Sequence, residues 1–324
     1  MNEELTRRDF IKSSGLVTTA VAAGVGMAAS SVVMAADTAP AAASKAPLLP
    51  TGKIGNLNIT RLILGGNLLT RYHHSRGQGY IGKLVKSYNS DAKVRETIEL
   101  AEASGINTLS VNITPAVCKT LNDHRKNGGK IQWILYTTSN IENVAKYKED
   151  IQKMADDGAE AIYIWGCHGD KYVASGQLDI LGKMVEEIKM HNVPCGMGGH
   201  DLKVVQEIEK SKMPVDFYIK TFHHHNYSSA PKGDALKGIT SEVPGHWCNN
   251  PDETMAFMKT VKKPWIAFKI MAAGAIPPKD AFAYAFKNGA DFALAGMFDF
   301  DITEDCQITR DAVAQAQGRE RPWA

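Results

Sequence analysis

Residues 161–221 decide the fold, because three short apolar runs there alternate with two longer amphipathic ones. The sequence reads AIYIW at 161–165, PCGM at 194–197 and FYIKT at 217–221. Between these runs, residues 178–191 and 202–212 place apolar side chains at the spacing of one helix face. Short β-branched and aromatic runs that alternate with helices predict a parallel sheet built from βα units.

The same alternation extends along the chain from residue 60 onward. Strands are predicted at 60–64, 108–111, 131–136, 161–165, 194–197, 217–221, 265–270 and 292–295. Helices are predicted at 92–103, 116–126, 141–156, 178–191, 202–212, 252–261, 280–288 and 304–316. Eight βα units predict an α/β protein with a single (β/α)8 TIM barrel, rather than two doubly wound halves.

The composition is that of an ordinary globular protein. The 324 residues include 37 Lys and Arg against 35 Asp and Glu, and 44% of the residues are apolar. A nucleic-acid-binding protein normally carries a marked basic excess, and a disordered chain lacks such an apolar fraction. The sequence therefore argues against both classes.

The N-terminus has the features of a twin-arginine export signal. Arg7 and Arg8 precede Phe10, and a run rich in glycine and alanine follows from residue 15 to 33. This run is too weakly apolar for a stable membrane span, and small residues suited to cleavage surround Ala36. We expect export to the periplasm or the exterior, with the twin-arginine translocase as a partner. The expected organisation is a signal peptide at 1–36, an Ala/Pro-rich linker at 37–51 and the barrel at 52–324.

Histidines are concentrated after the predicted strands, where barrel enzymes carry their active sites. His168, His200 and one of His223 and His225 follow three neighbouring strands, and alternation puts the last two on one side. Three imidazoles and an open position would suit a catalytic divalent metal, although no established local ligand spacing is present. The alternative interpretation is that each is an ordinary polar loop residue. Candidate hydrogen-bond partners for the imidazoles are Asp170 and Asp201.

Two lysines lie near the predicted barrel mouth. Lys220 ends the sixth predicted strand, and Lys269 lies late in the seventh. A lysine in a barrel mouth serves as an electrostatic or a Schiff-base group. Lys269 either faces the mouth or lies outside against a helix, and the pattern favours neither.

Glycines mark the segments after the last two predicted strands. Barrels often bind phosphate there, because glycine lets a ligand approach the backbone closely. Gly274, Gly296 and Met297 are the candidate cofactor-binding residues. A role in tight turns is an equal alternative, and Asp299 and Asp301 would oppose an anion.

The longest predicted loop is rich in aromatic and amide side chains, a composition found in carbohydrate sites. A loop that packs on itself would have the same composition. The residues concerned are Tyr227, His246, Trp247, Asn249 and Asn250.

The layout of residues 52–298 resembles the aldo/keto reductase superfamily. The similar segments are 54–65 (the opening hairpin and first strand), 101–107 (AEASGIN), 163–170 (YIWGCHGD) and 196–201 (GMGGHD). The resemblance implies a barrel that reduces carbonyl groups with NADP or NAD, through an Asp-Tyr-Lys-His catalytic set.

Only the histidine of that set carries over, onto His168. Residues 110–116 (SVNITPA) and 136–139 (YTTS) stand where the family has its acid, its tyrosine and its lysine. Reduction of a carbonyl still requires a proton donor. The candidate replacements are Tyr72, Tyr80 or a histidine as the donor, and Lys220 or Lys269 to stabilise charge.

Three functions remain as hypotheses for this chain and a small-molecule substrate. The first is an exported NAD(P)-linked oxidoreductase that acts on a sugar-like carbonyl or polyol. The alternative is a redox-neutral lyase, isomerase or hydrolase, dependent on a metal or on histidine, that acts on an oxidised sugar. The second alternative is an exported binding protein without catalysis.

Overall fold

The structure is a computed structural model that describes residues 47–74, 78–236 and 248–324. The predicted export signal and most of the predicted linker lie outside the described residues. Leu49, inside the predicted linker, is buried, and its N–H donates to the carbonyl of Gly105 at 3.1 Å. None of the helices in the described part of the chain has the length and apolar character that crossing a membrane requires.

Eight parallel strands close into a barrel in the described chain. A two-stranded antiparallel hairpin, β1 (Thr51–Ile54) and β2 (Leu57–Thr60), comes first. The barrel strands are β3 (Leu62–Gly65), β4 (Thr108–Asn112), β5 (Gln132–Tyr136), β6 (Ala161–Ile164), β7 (Cys195–Gly199), β8 (Phe217–Thr221), β9 (Trp265–Phe268) and β10 (Phe292–Ala295). Each pairs with the next, and β10 pairs with β3. The predicted single (β/α)8 barrel is confirmed.

The helices of the described residues surround this barrel. They are α1 (Gly79–Tyr88), α2 (Asp91–Ala103), α3 (Pro115–Lys126), α4 (Val144–Asp156), α5 (Gly166–Ala174), α6 (Leu178–Lys189), α7 (Leu202–Ser211), α8 (Pro251–Met258), α9 (Pro278–Lys287) and α10 (Ile302–Gln315). Two short 3₁₀ turns lie at Gly233–Leu236 and Asp299–Asp301. Eight of the ten α-helices match the predicted ones to within a few residues.

The strands are apolar on both faces because both faces are buried. Ile63, Ile134, Phe217 and Ile266 belong to one cluster that fills the barrel interior. The residues that alternate with these along the strands, such as Tyr218, point outward and pack in the layer between the strands and the helices. The continuous apolar runs of the sequence therefore correspond to strands enclosed by helices.

Sequence reasoning missed α1 and α5 and treated both segments as loop. Helix α5 begins Gly-Cys-His-Gly, and glycine is a poor helix former. The glycines permit close packing on β7, since a Cβ at Gly169 would lie 2.2 Å from the carbonyl oxygen of Gly198. This contact brings the α5 side chains next to the carboxyl end of β7.

Candidate active site

A cavity of about 460 Å3 opens at the carboxyl ends of the barrel strands. Its volume lies within the usual range for small-molecule sites, and much of its wall is apolar or aromatic. The aromatic lining includes Tyr136, Tyr163, Trp165 and Phe268. The polar lining side chains are Asn67, Tyr72, His73, His74, Ser110, His200, Lys269, Asp301 and Asp305.

A chain of hydrogen bonds joins Asp170, His200 and Lys269 at this cavity. The Oδ2 atom of Asp170 lies 2.6 Å from Nδ1 of His200, and Nε2 of His200 lies 2.9 Å from Nζ of Lys269. The other oxygen of Asp170 accepts the backbone N–H groups of His200 and Asp201 at 2.8 and 3.0 Å. His200 and Lys269 line the cavity, whereas Asp170 is buried behind them.

The hydrogen bonds assign the protons within this chain. The Asp170 carboxylate can only accept, so Nδ1 of His200 donates to it. In the neutral imidazole, Nε2 is then an acceptor, and the ammonium group of Lys269 donates to it. Asp170 therefore fixes both the tautomer and the orientation of the His200 ring.

Lys269 is held by an unusual stretch of backbone. It has φ of +56°, a left-handed conformation that costs a non-glycine residue about 1–2 kcal/mol. Ala272, Ala273 and Gly274 follow with φ of 46°, 55° and 83°. Backbone strain of this kind concentrates at functional sites, where the surrounding fold stabilises it.

His168 does not line the cavity. It is buried and packs against Trp165 and Tyr172, with ring centroids 5.3 and 6.2 Å away. Its Nδ1 has no hydrogen-bond partner among the described residues, and burial lowers the pKa of its imidazole to about 4. Of the four predicted metal-ligating histidines, the one that lines the cavity is His200, which follows the next strand.

Lys220 lies on the opposite face of β8 from the barrel interior. Phe217 and Ile219 fill the interior, so alternation directs Lys220 toward the surrounding helices. The residue is fully buried, and its Nζ donates to the carbonyl and hydroxyl oxygens of Thr221 at 2.8 and 3.0 Å. Burial lowers the pKa of this amine. Of the two predicted lysines, only Lys269 lines the cavity.

The four predicted metal-ligating histidines are not brought together. Both ring nitrogens of His200 face Asp170 and Lys269, and Nε2 of His225 lies 2.6 Å from the Cys248 carbonyl oxygen. The rings of His223 and His225 do share one side, 5.9 Å apart, but His168 packs elsewhere. Across the described ranges, no group of three or more His, Cys, Asp or Glu side chains could hold a metal ion.

The remaining predicted site residues are divided between the cavity and the core. Tyr72 lines the cavity, is half exposed, and contacts the His74 ring edge-on at 5.3 Å. Gly274 and Gly296 also line it, whereas Met297 is buried and does not. A Cβ at Gly274 would meet nothing within 4 Å, and one at Gly296 would meet only Leu68, at 3.8 Å. Both glycines therefore leave open space for a ligand.

The predicted sugar loop is described only in part. His246 and Trp247 lie outside the described residues. The described members, Tyr227, Asn249 and Asn250, do not line the cavity.

Sequence reasoning missed several polar residues of the cavity wall, among them two that are buried, Ser110 and Asp305. Ser110, in the segment where the aldo/keto reductase pattern expects an acid, is buried, and its Oγ has no partner among the described residues. Asp305, in the first turn of α10, is 3% exposed. Burial, followed by the nearby charge of Asp301, raises the pKa of Asp305 to about 7. Only the fold shows that these two positions face one cavity.

Asp305 should make stability depend on pH. Its pKa is about 7 in the folded state and about 3.9 when unfolded, so its favourable contribution is complete below pH 4 and lost as pH rises through 7. We expect Asp305→Asn to match the wild type in unfolding free energy at pH 4 and to exceed it at pH 8, by at most about 4 kcal/mol. Urea unfolding at both pH values measures this difference. The exposed Asp311→Asn is the control, and an equal offset of Asp305→Asn at both pH values would contradict the assignment.

Comparison with known proteins gives structural likeness alone. No protein-family model and no curated protein sequence matches the chain. A proposed aldo-keto reductase from Pseudomonas aeruginosa superposes with a TM-score of 0.56 and 14% identity, over 82% of this chain and 97% of that one. The holo form of an aldo-keto reductase from Bacillus halodurans gives 0.54 and 11%, over 83% and 96%. The chain shares its (β/α)8 barrel fold with these aldo-keto reductases.

A third solved structure with this fold carries a named ligand. It is a variant of Gox0644 in complex with NADPH, with a TM-score of 0.51 and 11% identity, over 85% of this chain and 97% of that one. Identities this low show a shared barrel fold alone, and function must be argued from the site.

Proposed function

We propose that this protein is an exported, nicotinamide-linked oxidoreductase that interconverts a sugar-like carbonyl compound and its alcohol. The observation that carries the proposal is the Asp170–His200–Lys269 chain, which ends in an amine at a largely apolar cavity. Carbonyl reduction needs a group of this kind, because the oxygen gains negative charge and then a proton.

The cavity residues fit the nicotinamide end of such a cofactor. Gly274 and Gly296 leave space where side chains would otherwise project, and the aromatic wall offers flat apolar surface. The NADPH complex of Gox0644 supports the proposal, because that protein has the same fold. When bound, the cofactor would supply or accept the hydride.

Lys269 is the candidate proton donor and acceptor. An ammonium group has three N–H donors, so Lys269 can donate to His200 and still direct another N–H at a substrate oxygen. In reduction, Lys269 gives a proton to the developing alkoxide. In oxidation, the neutral amine takes the proton from the alcohol.

His200 and Asp170 position the Lys269 side chain for this role. His200 accepts a hydrogen bond from Lys269 and so fixes where its nitrogen lies, while Asp170 holds the ring. His200 lines the cavity, so its ring borders the same space as the substrate. Asp170 is a positioning residue, because it reaches the cavity only through His200.

The residues that line the cavity favour a polyhydroxylated substrate. Trp165 and Tyr72 offer ring surfaces of the kind that pack against a sugar. Asn67 and Ser110 bring an amide and a hydroxyl to the same cavity, which suits substrate hydroxyl groups.

Export is the second element of the proposal and rests on the sequence around Arg7 and Arg8. Cell fractionation tests it. The mature protein is expected in the periplasmic or secreted fraction, and a mature protein confined to the cytosol would contradict export.

Direct binding of cofactor tests the enzymatic proposal. NADH and NADPH are titrated separately into the folded protein, by calorimetry and by tryptophan fluorescence, because Trp165 lines the cavity. We expect at least one of them to bind, and Gly296→Leu, which fills the open space, to weaken binding about 10-fold or more. The matched control is Gly182→Leu, since a Cβ at Gly182 also meets nothing within 4 Å but lies on α6, away from the cavity. If neither nucleotide binds the wild type, the proposal is wrong.

A further inference from the structure

We propose that the substrate is a glycoside with an aryl aglycone, and that this aglycone packs on an apolar rim beside the cavity. The rim consists of Tyr80, Leu84 and Tyr88 on α1 and of Phe298 and Phe300 after β10. Because an aglycone occupies the anomeric carbon, the reacting oxygen lies at another position of the sugar. This inference rests on the proposed function and adds to it the part of the substrate that does not react.

The rim is continuous with the cavity wall. Ile81 and Val85 line the cavity from α1, and Phe298 lines it from the segment after β10. Side chains three and four residues apart share one face of a helix, so Tyr88 continues the row that Ile81 and Val85 begin. The Tyr88 ring contacts Phe298 and Phe300 edge-on, with ring centroids 5.7 and 6.1 Å away. A ligand bound in the cavity can therefore extend onto the rim without leaving apolar surface.

Exposed apolar side chains are concentrated at this rim. Seven large apolar side chains are exposed in the part of the chain that the structure describes. Three of them, Tyr80, Leu84 and Phe300, belong to the rim and are 68%, 62% and 67% exposed, and a fourth, Tyr72, lines the cavity. Single exposed apolar residues are ordinary, whereas a group of them beside a cavity indicates a binding surface.

The rings of the rim are held in place before any ligand binds. The Phe298 and Phe300 rings stack nearly parallel, with centroids 5.2 Å apart. Between them in sequence, Asp299 accepts a hydrogen bond from the Tyr88 hydroxyl at 2.7 Å and pairs with Lys93 of α2 at 3.1 Å. These contacts join the segment after β10 to α1 and α2. Because the rings are already fixed, a ligand that packs on them costs little further ordering of side chains.

The polar groups beside the rim favour an apolar group over a second sugar ring. The Tyr88 hydroxyl and Lys93 bond to Asp299, and Nζ of Lys93 also pairs with Glu96 at 2.8 Å. The hydrogen bonds of these groups are thus made within the protein. A second sugar ring would bring hydroxyl groups that need partners, whereas an aryl ring requires only apolar and aromatic contact.

The charge near the rim favours a neutral occupant. The segment after β10 and the first turn of α10 carry four acidic side chains, Asp299, Asp301, Glu304 and Asp305. Helical spacing places Lys83 and Lys86 on the other side of α1 from Tyr88. The acidic side chains oppose anionic lipid headgroups and also the phosphates of a dinucleotide, which leaves the rim to the substrate. An aryl aglycone has no charge and meets no such opposition.

Calorimetric titration with matched phenyl and methyl glycosides of the common hexoses and pentoses, in both anomers, tests the inference. For the sugar that binds, we expect the phenyl glycoside to bind about 10-fold or more tightly than the methyl glycoside. Phe300→Ala is expected to lower this ratio about 3-fold or more, whereas Phe300→Tyr retains the ring and the ratio. The matched control is Met190→Ala, which removes another exposed apolar side chain, after α6 at the amino ends of the strands. Circular dichroism establishes that each variant is folded.

The outcomes separate this inference from the function on which it rests. Equal binding of phenyl and methyl glycosides, or a ratio unchanged in Phe300→Ala, would overturn the inference and leave the nicotinamide-linked function standing. Loss of the ratio when NADH or NADPH is bound would also overturn it, since the cofactor would then cover the rim. If a nucleotide binds but no glycoside does, the inference and the sugar-like substrate are both wrong. Selective binding of phenyl glycosides without any nucleotide binding would contradict the redox function alone.

Discussion

Replacing Lys269 with methionine is expected to lower kcat for reduction of a sugar-like carbonyl by about 10²–10⁴-fold, the usual contribution of a general acid. The reason is that methionine retains the length of the side chain but has no proton to give the developing alkoxide. Cofactor affinity is expected to change little, because in the proposed site the open glycine positions and the aromatic wall, rather than Lys269, would hold the cofactor. A lower kcat with unchanged cofactor affinity would show that the variant has lost the proton donor and has kept the binding site.

The measurement is nucleotide oxidation in the presence of keto sugars, combined with a binding titration of the same preparation. The matched control is Lys287→Met, an exposed lysine at the far end of α9, which is expected to retain wild-type turnover. A Lys269→Met enzyme with wild-type kcat would remove Lys269 from the mechanism. Asp170→Asn should reduce kcat as well, by disturbing the tautomer of His200, with KM nearly unchanged.

Replacing Asp291 with alanine is expected to lower the free energy of unfolding by about 3–5 kcal/mol, the usual cost of breaking a buried ion pair. Asp291 is fully buried at the amino end of β10 and pairs with Arg319 at 2.8 Å and Arg321 at 2.5 Å. Its side chain also accepts the backbone N–H groups of Trp265 and Ala324, at 2.9 Å each. Alanine would leave two buried guanidinium groups without their carboxylate.

This cluster joins the C-terminal segment to the amino ends of the barrel strands. Arg61 donates to the Asp291 carbonyl and lies over the Trp323 ring, and burial lowers the pKa of Arg61 to about 10. Urea unfolding at neutral pH measures the loss, with the exposed Asp311→Ala as the control at about 0.5 kcal/mol or less. A change in Asp291→Ala no larger than that of the control would show that the cluster contributes little to stability.

The barrel could be predicted because its signals are local. The run at 217–221 and the helix at 202–212 are each recognisable within a dozen residues, and their alternation leaves few topologies. Helix α5 was not predicted, because the reason for its sequence is not local. Its glycines disfavour a helix locally, and the close packing on β7 that explains them is a tertiary contact.

For the candidate site, the sequence predicted only which residues lie at the ends of the strands. His168 and His200 both follow strands. The family resemblance favoured His168, whereas the ring that lines the cavity is His200. The choice depends on how α5 packs on β7, which turns His168 toward Tyr172 and places Asp170 beneath His200. Asp305 could not be predicted as a site residue, because it lies in a helix and only the folded structure shows that the first turn of this helix borders the cavity.

The amino-acid sequence was sufficient for the (β/α)8 barrel and for the end of it that carries the polar side chains, since hydrophobic periodicity and chain order are local properties. Tertiary structure alone decided which of those side chains meet. Asp170 and His200 are 30 positions apart and His200 and Lys269 are 69, so their hydrogen bonds depend on barrel closure and on the left-handed backbone at Lys269. The same closure buries Lys220 on the outer face of β8, because side chains one residue apart on a strand point to opposite faces.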